Sequence, residues 1–271
     1  KIDDTTKLKF TVVVNGFYSS NKFKNVWSKK QQWKPLADSL FKYLENAELN
    51  GLFAKDYQVT KIGSIKKLLD ADSLKRMDAV IWSKADMLLT DACLHVIRDL
   101  KYGRLSNDTT ALSADSTKLV RALVAFQNNL LSQTSLSTFF SSIERKRKEY
   151  HELKNGIKRF IDSMDHKTYT YVVYPYKKGD IKDSLAFIKT LQKRLSESKC
   201  ISFTNKLPDS TQLDSSIRKY QKLKAVKPDG KISTALVKML NTSDAERFKR
   251  IAVTLDRYKK LPDSMPDRYI W

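Results

Sequence analysis

The fold of this chain is decided by three consecutive stretches: Ile217-Arg218-Lys219-Tyr220-Gln221-Lys222-Leu223, Lys227-Pro228-Asp229-Gly230-Lys231-Ile232 and Leu236-Val237-Lys238-Met239-Leu240-Asn241. Apolar residues recur at helical spacing in the first and third stretches, and the Pro-Asp-Gly of the second is typical of a turn. The pattern predicts a helix, a turn and a second helix, and an earlier apolar stripe completes a three-helix packet. That earlier stripe consists of Leu185, Ile188, Leu191 and Leu195.

Helical periodicity also dominates the rest of the chain. Apolar stripes run over residues 36–47 and 85–100, and a glycine shortly after each stripe favours helix termination. Residues 10–27 fit both helix and strand patterns, with helix preferred. The capping-box spacing at Ser243 predicts a further helix that Pro262 ends. We therefore expect a mainly α protein with little β structure.

One stretch favours strand over helix. Residues 169–174 read Tyr-Thr-Tyr-Val-Val-Tyr, a run of aromatic and β-branched residues, and the breaker Pro175 follows. We expect a short strand there and a domain boundary at its end.

The charge of the chain is its most unusual property. Its 271 residues carry 51 Lys and Arg against 30 Asp and Glu, a formal net charge of +21, whereas 41% hydrophobic residues are ordinary for a globular protein. Such a field attracts polyanions: nucleic acid, an anionic membrane surface or the anionic polymers of a bacterial cell envelope. The charge alone does not choose among these partners.

Targeting and redox signals are sparse. No run of about 18 apolar residues occurs, so no membrane-spanning segment is predicted. The chain begins at Lys1 without an apolar leader, and we expect any targeting segment to have been removed. Cys93 and Cys200 fall in two different predicted domains, which favours unpaired, buried thiols.

Catalytic and metal-binding motifs are missing from the sequence. None of the three histidines has a partner at the spacing of a zinc site, and each is interpreted as a solvated side chain. Cys93 and His95 are two residues apart on a predicted helix and would face opposite sides, so they do not form a nucleophile and base pair. We expect no metal, no cofactor and no catalysis by this chain alone.

A basic helix predicted over residues 143–160 carries the alternative function, nucleic-acid binding. Its aromatic residues Tyr150 and Phe160 fall on the apolar stripe rather than among the cations, so they are poorly placed to stack on bases. A solvated charged face is the preferred interpretation, and nucleic acid is not the expected partner. The cations are Arg145, Lys146, Lys148, Lys154 and Lys158.

Residues 176–241 resemble the peptidoglycan-binding-like module, a small helical domain of cell-wall proteins. Its characteristic pairs occur here in the family's order, although Lys224 and Ser233 stand where the family usually has glycine. The matching pairs are Gly179-Asp180, Tyr220-Gln221, Asp229-Gly230 and Leu240-Asn241.

The resemblance extends to the large L,D-transpeptidases, in which a helical scaffold region, this module and a cysteine catalytic domain follow one another. Neither Cys93 nor Cys200 matches the family's Ser-x-Gly-Cys-x-Arg motif, so the resemblance implies the non-catalytic part of such an enzyme. The scaffold signatures are Phe17-Tyr18, Val26-Trp27, Gly51-Leu52, Asp56-Tyr57, Asp86, Leu88-Leu89-Thr90-Asp91-Ala92 and Asp99-Leu100-Lys101-Tyr102-Gly103-Arg104.

This resemblance implies a domain order and a function. Residues 1–174 would be the scaffold-like domain, 175–242 the peptidoglycan-binding-like domain, and 243–271 a linker helix before an absent catalytic domain. The chain would tether cell-wall glycan or stem peptides for cross-linking, in the periplasm or cell envelope.

A third possible function is that of an envelope adaptor binding a protein partner, and peripheral contact with an anionic membrane surface is also possible. The candidate peptidoglycan contacts are Tyr176, Lys224, Lys227 and Asp229, polar groups that could meet stem-peptide carboxylates.

Overall fold

A computed structural model describes residues 7–105, 121, 124–125, 128–132, 135–174, 176–177, 180–181 and 184–261. The described chain is mainly α-helical, as predicted, and its strands form two short antiparallel pairs. It divides into two compact units, the first comprising Lys1–Ser163 with Arg250–Trp271 and the second Met164–Lys249.

The first unit is built mainly from helices. A hairpin of strands β1 (Ser28–Lys29) and β2 (Gln32–Trp33) separates the first two. The helix predicted over residues 143–160 begins at Lys148, because Ile143 is the last residue of the preceding helix and residues 144–147 connect the two. The helices are α1 (Thr11–Ser20), α2 (Pro35–Glu45), α3 (Val59–Ala71), α4 (Ser73–Arg76), α5 (Ala79–Tyr102), α6 (Leu136–Ile143) and α7 (Lys148–Asp162), with 3-10 helices at Ala47–Asn50 and Ala54–Tyr57.

Helix α5 lies at the centre of the first unit's core. The Asp78 side chain caps its first turn by accepting a hydrogen bond from Val80 N, and Gly103 follows its last residue. The predicted apolar stripe is buried, but so are carboxylates on other faces: Asp86 and Asp99 are 0% exposed. A helix that is buried nearly all round needs partners for every polar side chain it carries.

Those carboxylates hold segments that have little regular structure of their own. Asp86 accepts hydrogen bonds from Tyr18 Oη at 2.5 Å, Val26 N at 2.8 Å and Trp27 N at 2.8 Å. Asp91 accepts from the two backbone N–H groups of Lys9 and Phe10, just before α1. The short scaffold signatures, which are scattered in sequence, thus converge on one helix through hydrogen bonds.

Residues 250–260 complete the first unit. Leu255 is fully buried, and a side chain at Gly51, where φ is +67°, would collide with it. Asp256 accepts a hydrogen bond from Arg104 N at 2.7 Å, and the buried Lys259 ammonium donates to Asp99 O at 2.9 Å and to Asp256 at 3.0 Å. Gly51 is therefore needed for packing as well as for ending a helix.

The second unit contains the predicted three-helix packet, which is confirmed. Its apolar core includes Leu191, Ile217, Tyr220 and Leu240, all at most 1% exposed. A hairpin of β3 (Tyr176–Lys177) and β4 (Asp180–Ile181) precedes the packet. The helices are α8 (Ser184–Glu197), α9 (Ser210–Leu223) and α10 (Thr234–Asn241), followed by α11 (Asp244–Lys260), whose residues belong to the first unit from Arg250 onward.

The two departures from the module's glycines have local explanations. Ser233 is the N-cap of α10, and its hydroxyl accepts a hydrogen bond from Leu236 N at 3.1 Å. Lys224, at the end of α9, has φ −92°, a conformation that does not require glycine. The predicted cap of α11 is also present, since Glu246 N donates to Ser243 Oγ at 3.2 Å.

The predicted strand over residues 169–174 was wrong, because no backbone strand pairs with it among the described residues. Side chains satisfy it instead: Thr170 N donates to the Glu197 carboxylate at 2.9 Å, and Val172 N donates to Asn241 Oδ1 at 2.9 Å. Val172 is 1% exposed and belongs to the core of the second unit. The segment is therefore fixed without being part of a sheet.

Candidate binding site

The turn between α9 and α10 is organised by the buried Gln221 side chain. Its Nε2 donates to Asp229 Oδ1 at 2.6 Å, and its Oε1 accepts from Gly230 N at 2.9 Å. Asp229 Oδ1 also accepts from Lys231 N at 3.0 Å. The Tyr-Gln and Asp-Gly pairs of the module are thus joined directly, and this bond network closes the turn.

Gly230 has no substitute in this turn. Its φ is +71°, and a side chain there would overlap the Asp214 carboxylate and lie 2.9 Å from Arg218 Nε. Arg218 in turn donates to Asp214 at 2.7 Å and to Pro228 O at 2.6 Å. The backbone of the turn is therefore held by two side chains of α9, Gln221 at Gly230 N and Arg218 at Pro228 O.

Cationic side chains surround this turn. Lys227 is exposed, and Lys224 Nζ lies 5.7 Å from the centroid of the buried Tyr220 ring. The hydrogen bonds from Lys231 N and Gln221 lower the pKa of the Asp229 carboxyl, so it is ionised at neutral pH. We call Lys219, Lys222, Lys224, Lys227 and Lys231 the turn cations.

The predicted contact residues are placed in two locations. Lys224, Lys227 and Asp229 share the α9–α10 connection, whereas Tyr176 lies in β3, where its partner residue is Ile181. Asp229 uses Oδ1 to hold the turn, so it shapes the surface that the turn cations occupy.

Sequence reasoning missed a second feature, a groove of about 460 Å³ lined by residues 164–171, 240–241, 243 and 245–246. Tyr169 Oη donates to the Asp165 carboxylate, which raises the pKa of Tyr169 to about 12 and lowers that of Asp165. The Arg194 guanidinium stacks 3.9 Å from the Tyr169 ring centroid. The alternating tyrosines of residues 169–174 were the available sequence signal for this groove. Their β propensity favoured the prediction of a strand instead.

His95 is buried, so its prediction as a solvated side chain was wrong. It is 8% exposed, with the Tyr57 ring centroid at 4.9 Å, because α5 is covered on several faces. Its Nε2 contacts Arg98 Nη2 at 2.8 Å, and a guanidinium only donates, so the imidazole nitrogen accepts. Burial, followed by the charge of Arg98, lowers the pKa of His95 to about 4. His95 is therefore a neutral core residue at pH 7.

The cysteines are free and buried, as predicted. Burial raises the pKa of both Cys93 and Cys200, which makes both thiols poor nucleophiles. Within the described ranges no group of three or more His, Cys, Asp or Glu side chains is arranged to hold a metal ion. No described helix combines the length and apolarity needed to cross a membrane.

Comparison with known proteins identifies one region. A family model described as a Scaffold domain matches residues 13–156, a range that lies within the first unit and includes α5 with its buried carboxylates. No curated protein matches the sequence.

Proposed function

This chain belongs to the Scaffold domain family, whose model spans more than half of its residues, and we propose that it is the scaffolding and substrate-tethering part of a peptidoglycan cross-linking L,D-transpeptidase. The family match supports the scaffold role. The peptidoglycan role rests on the resemblance of the second unit to the binding module and on the geometry of its turn.

The observation that carries the proposal is the closed α9–α10 turn. Gln221, Asp229 and Gly230, which belong to the module's motif pairs, hold one another by hydrogen bonds of 2.6 and 2.9 Å. The motif residues therefore build a closed turn. Among the turn cations, Lys222, Lys227 and Lys231 are exposed, Lys224 is half-buried, and Lys219 donates to Lys199 O at 2.9 Å. A preorganised cationic surface loses little conformational entropy when it binds a carboxylate.

The proposed mechanism is tethering. Stem-peptide carboxylates would bind Lys224 and Lys227, and a glycan strand held in this way would supply further stem peptides at a high effective concentration. Catalysis would belong to a separate cysteine domain, because burial leaves Cys93 and Cys200 unreactive. This function places the chain in the periplasm or cell envelope.

The basic helix supports this choice over nucleic-acid binding. Lys154 Nζ is engaged by the Glu144 carboxylate at 2.5 and 2.7 Å, and Arg145 Nε donates to Lys259 O at 2.7 Å. Two of the five cations considered for nucleic acid thus serve internal contacts. Tyr150 is fully buried, so it offers no surface on which a base could stack.

The test is pelleting of the full chain with insoluble peptidoglycan sacculi, compared with retention of DNA across a salt series. We expect the chain to pellet, and the double variant Lys224→Glu/Lys227→Glu to reduce the bound fraction by about threefold or more. The matched control is Lys189→Glu with Lys193→Glu, an equal charge change at two exposed positions of α8.

Equal loss in both double variants would mean that net charge alone drives binding, and would refute the assignment to the turn. Steeply salt-dependent DNA retention without pelleting would refute the peptidoglycan role altogether.

A further inference from the structure

Residues 169–174, here called the edge segment, have the backbone arrangement of a β-strand with one edge paired. The Asn241 side chain accepts from Val172 N at 2.9 Å and donates to Val172 O at 2.7 Å. In an extended chain the N–H and C=O of one residue point to the same side, so an amide side chain can imitate a neighbouring strand. Thr170 N, two residues away, points the same way, to Glu197.

The opposite edge of this segment is open. In an extended chain Tyr171 and Val173 direct their N–H and C=O groups away from Asn241, and neither residue makes a hydrogen bond within the described part of the chain. The two residues are 71% and 67% exposed, whereas Val172 between them is 1% exposed. An exposed run of β-forming residues with free backbone groups is a template for another strand.

We propose that this open edge pairs with the edge segment of a second copy of the chain, in an antiparallel arrangement with a two-fold axis at Val172. Tyr171 then forms a hydrogen-bonded pair with Val173 of the second copy, and Val173 pairs with the second copy's Tyr171. Each such pair exchanges two backbone hydrogen bonds, so the interface contains four.

Two features favour a second copy over an unrelated strand. The open positions are self-complementary, because antiparallel pairing sets an aromatic residue against a β-branched one twice, a favourable cross-strand combination. Residues 168–176 also carry no charged side chain, so like charges do not oppose each other within this range. The first opposed cations, Lys167 and Lys177 of the second copy, lie at its two ends. Since the contact is isologous, it closes as a dimer and does not extend to a fibre.

The contact is small, so the expected dimer is weak, and the net charge of +21 opposes it. Added salt screens that repulsion and should strengthen the dimer. An acidic partner bound by charge would show the opposite dependence on salt.

The experiment is analytical ultracentrifugation of the full chain over a concentration series reaching about 1 mM, at roughly 0.1 and 0.5 M salt, where charges are increasingly screened. We expect reversible dimerisation that is stronger at the higher salt concentration. Val173→Pro removes one N–H per copy and should lower the association constant by about tenfold or more. Val173→Thr keeps the N–H and the branched side chain, and should dimerise like the parent chain.

Proline at this position should not disturb the fold, because Val173 N makes no bond within the described chain. The N–H and C=O of Val172 both bond to the Asn241 side chain, which fits the extended conformation that a residue before proline prefers. Hydrogen exchange of the unaltered chain gives a measurement that needs no variant. The amides of Tyr171 and Val173 should become protected as concentration rises.

A chain that stays monomeric throughout the series would overturn the proposal. So would dimerisation that Val173→Pro leaves unchanged, or that salt weakens. Sacculus binding bears on none of these outcomes, so the proposal stands or falls independently of the proposed function.

Discussion

The two units use buried polar groups differently. In the first unit, carboxylates and a lysine lie in the core, where Asp86, Asp99 and Lys259 are at most 1% exposed. Asp86 and Lys259 bind backbone of distant segments, and the Asp99 carboxylate accepts a hydrogen bond from Tyr57 Oη at 2.8 Å. Among the described residues of the second unit, the buried charged side chain is Arg194, which donates to Leu240 O at 3.0 Å. Charged side chains therefore stabilise the core of the first unit. The core of the second unit is formed by apolar helix packing, and its polar groups lie mainly around that core.

This difference can be measured separately in each unit. No tryptophan occurs within residues 164–249, and Trp27, Trp33 and Trp82 belong to the first unit. Tryptophan fluorescence therefore does not report the second unit, whereas far-ultraviolet circular dichroism reports both.

The largest effect is expected for Asp86→Ala. The change leaves the buried N–H groups of Val26 and Trp27 without their acceptor and Tyr18 Oη with Thr90 alone. It should lower the free energy of unfolding by about 3–5 kcal/mol. Denaturant unfolding followed by tryptophan fluorescence measures it.

The matched control is Asp70→Ala, which removes an exposed carboxylate 3.4 Å from Lys66 Nζ and should change stability by less than about 0.5 kcal/mol. Similar effects of the two changes would contradict the structural role given to Asp86.

An intermediate effect is expected from the titration of His95. Its pKa is lowered to about 4 in the folded chain, from an ordinary value of 6.5, so the unfolded chain binds the proton more readily. Its contribution to stability is complete above pH 6.5 and is lost as the pH falls toward 4, by about 3 kcal/mol in total.

The measurement compares the pH dependence of unfolding in the parent chain and in His95→Gln, whose amide oxygen can still accept from Arg98. Other groups that face His95 titrate or stay charged in both proteins, so they cancel in the difference; these are Lys9, Asp56, Arg98, Asp99 and Arg104. Parallel stability curves between pH 4 and 6.5 would show that His95 is not a buried neutral side chain.

The smallest effect is expected in the second unit, for Gly230→Ala. A side chain at φ +71° is strained and meets Asp214, so the loss should be about 1–3 kcal/mol. It should appear in circular dichroism and leave the tryptophan transition unchanged.

Gly156→Ala provides a control of opposite sign. Gly156 lies inside α7 with nothing within 4 Å of the added carbon, so alanine should stabilise the first unit by up to about 1 kcal/mol. A stabilising Gly230→Ala would disprove the closed turn.

The spacing of apolar residues and the positions of turn residues predicted much of the fold, because helices and turns depend on local chemistry. The helices with the turn at residues 228–230 followed from apolar spacing and turn residues, and the end of α5 before Gly103 followed from glycine. The break between Ile143 and Lys148 was not predicted, since an apolar stripe can continue across two helices that share a core.

The candidate site was only partly predictable for the same reason. Lys224, Lys227 and Asp229 are close in sequence and come together in the turn. The groove beside Tyr169 combines residues about 70 positions apart, and its tyrosines resemble a strand in sequence because an extended segment is tied by Asn241 and Glu197 rather than by a neighbouring strand.

The helical class, the three-helix packet and the positive charge of this protein could all be predicted from its sequence, because each depends on residue type and short-range spacing. Tertiary structure alone decided that Asp86, Asp91 and Asp99 are core residues, that His95 is buried and that residues 250–260 complete the first unit. A polar side chain can be buried in the core only if distant segments supply its hydrogen-bond donors. The local spacing of residues does not show which distant segments do so.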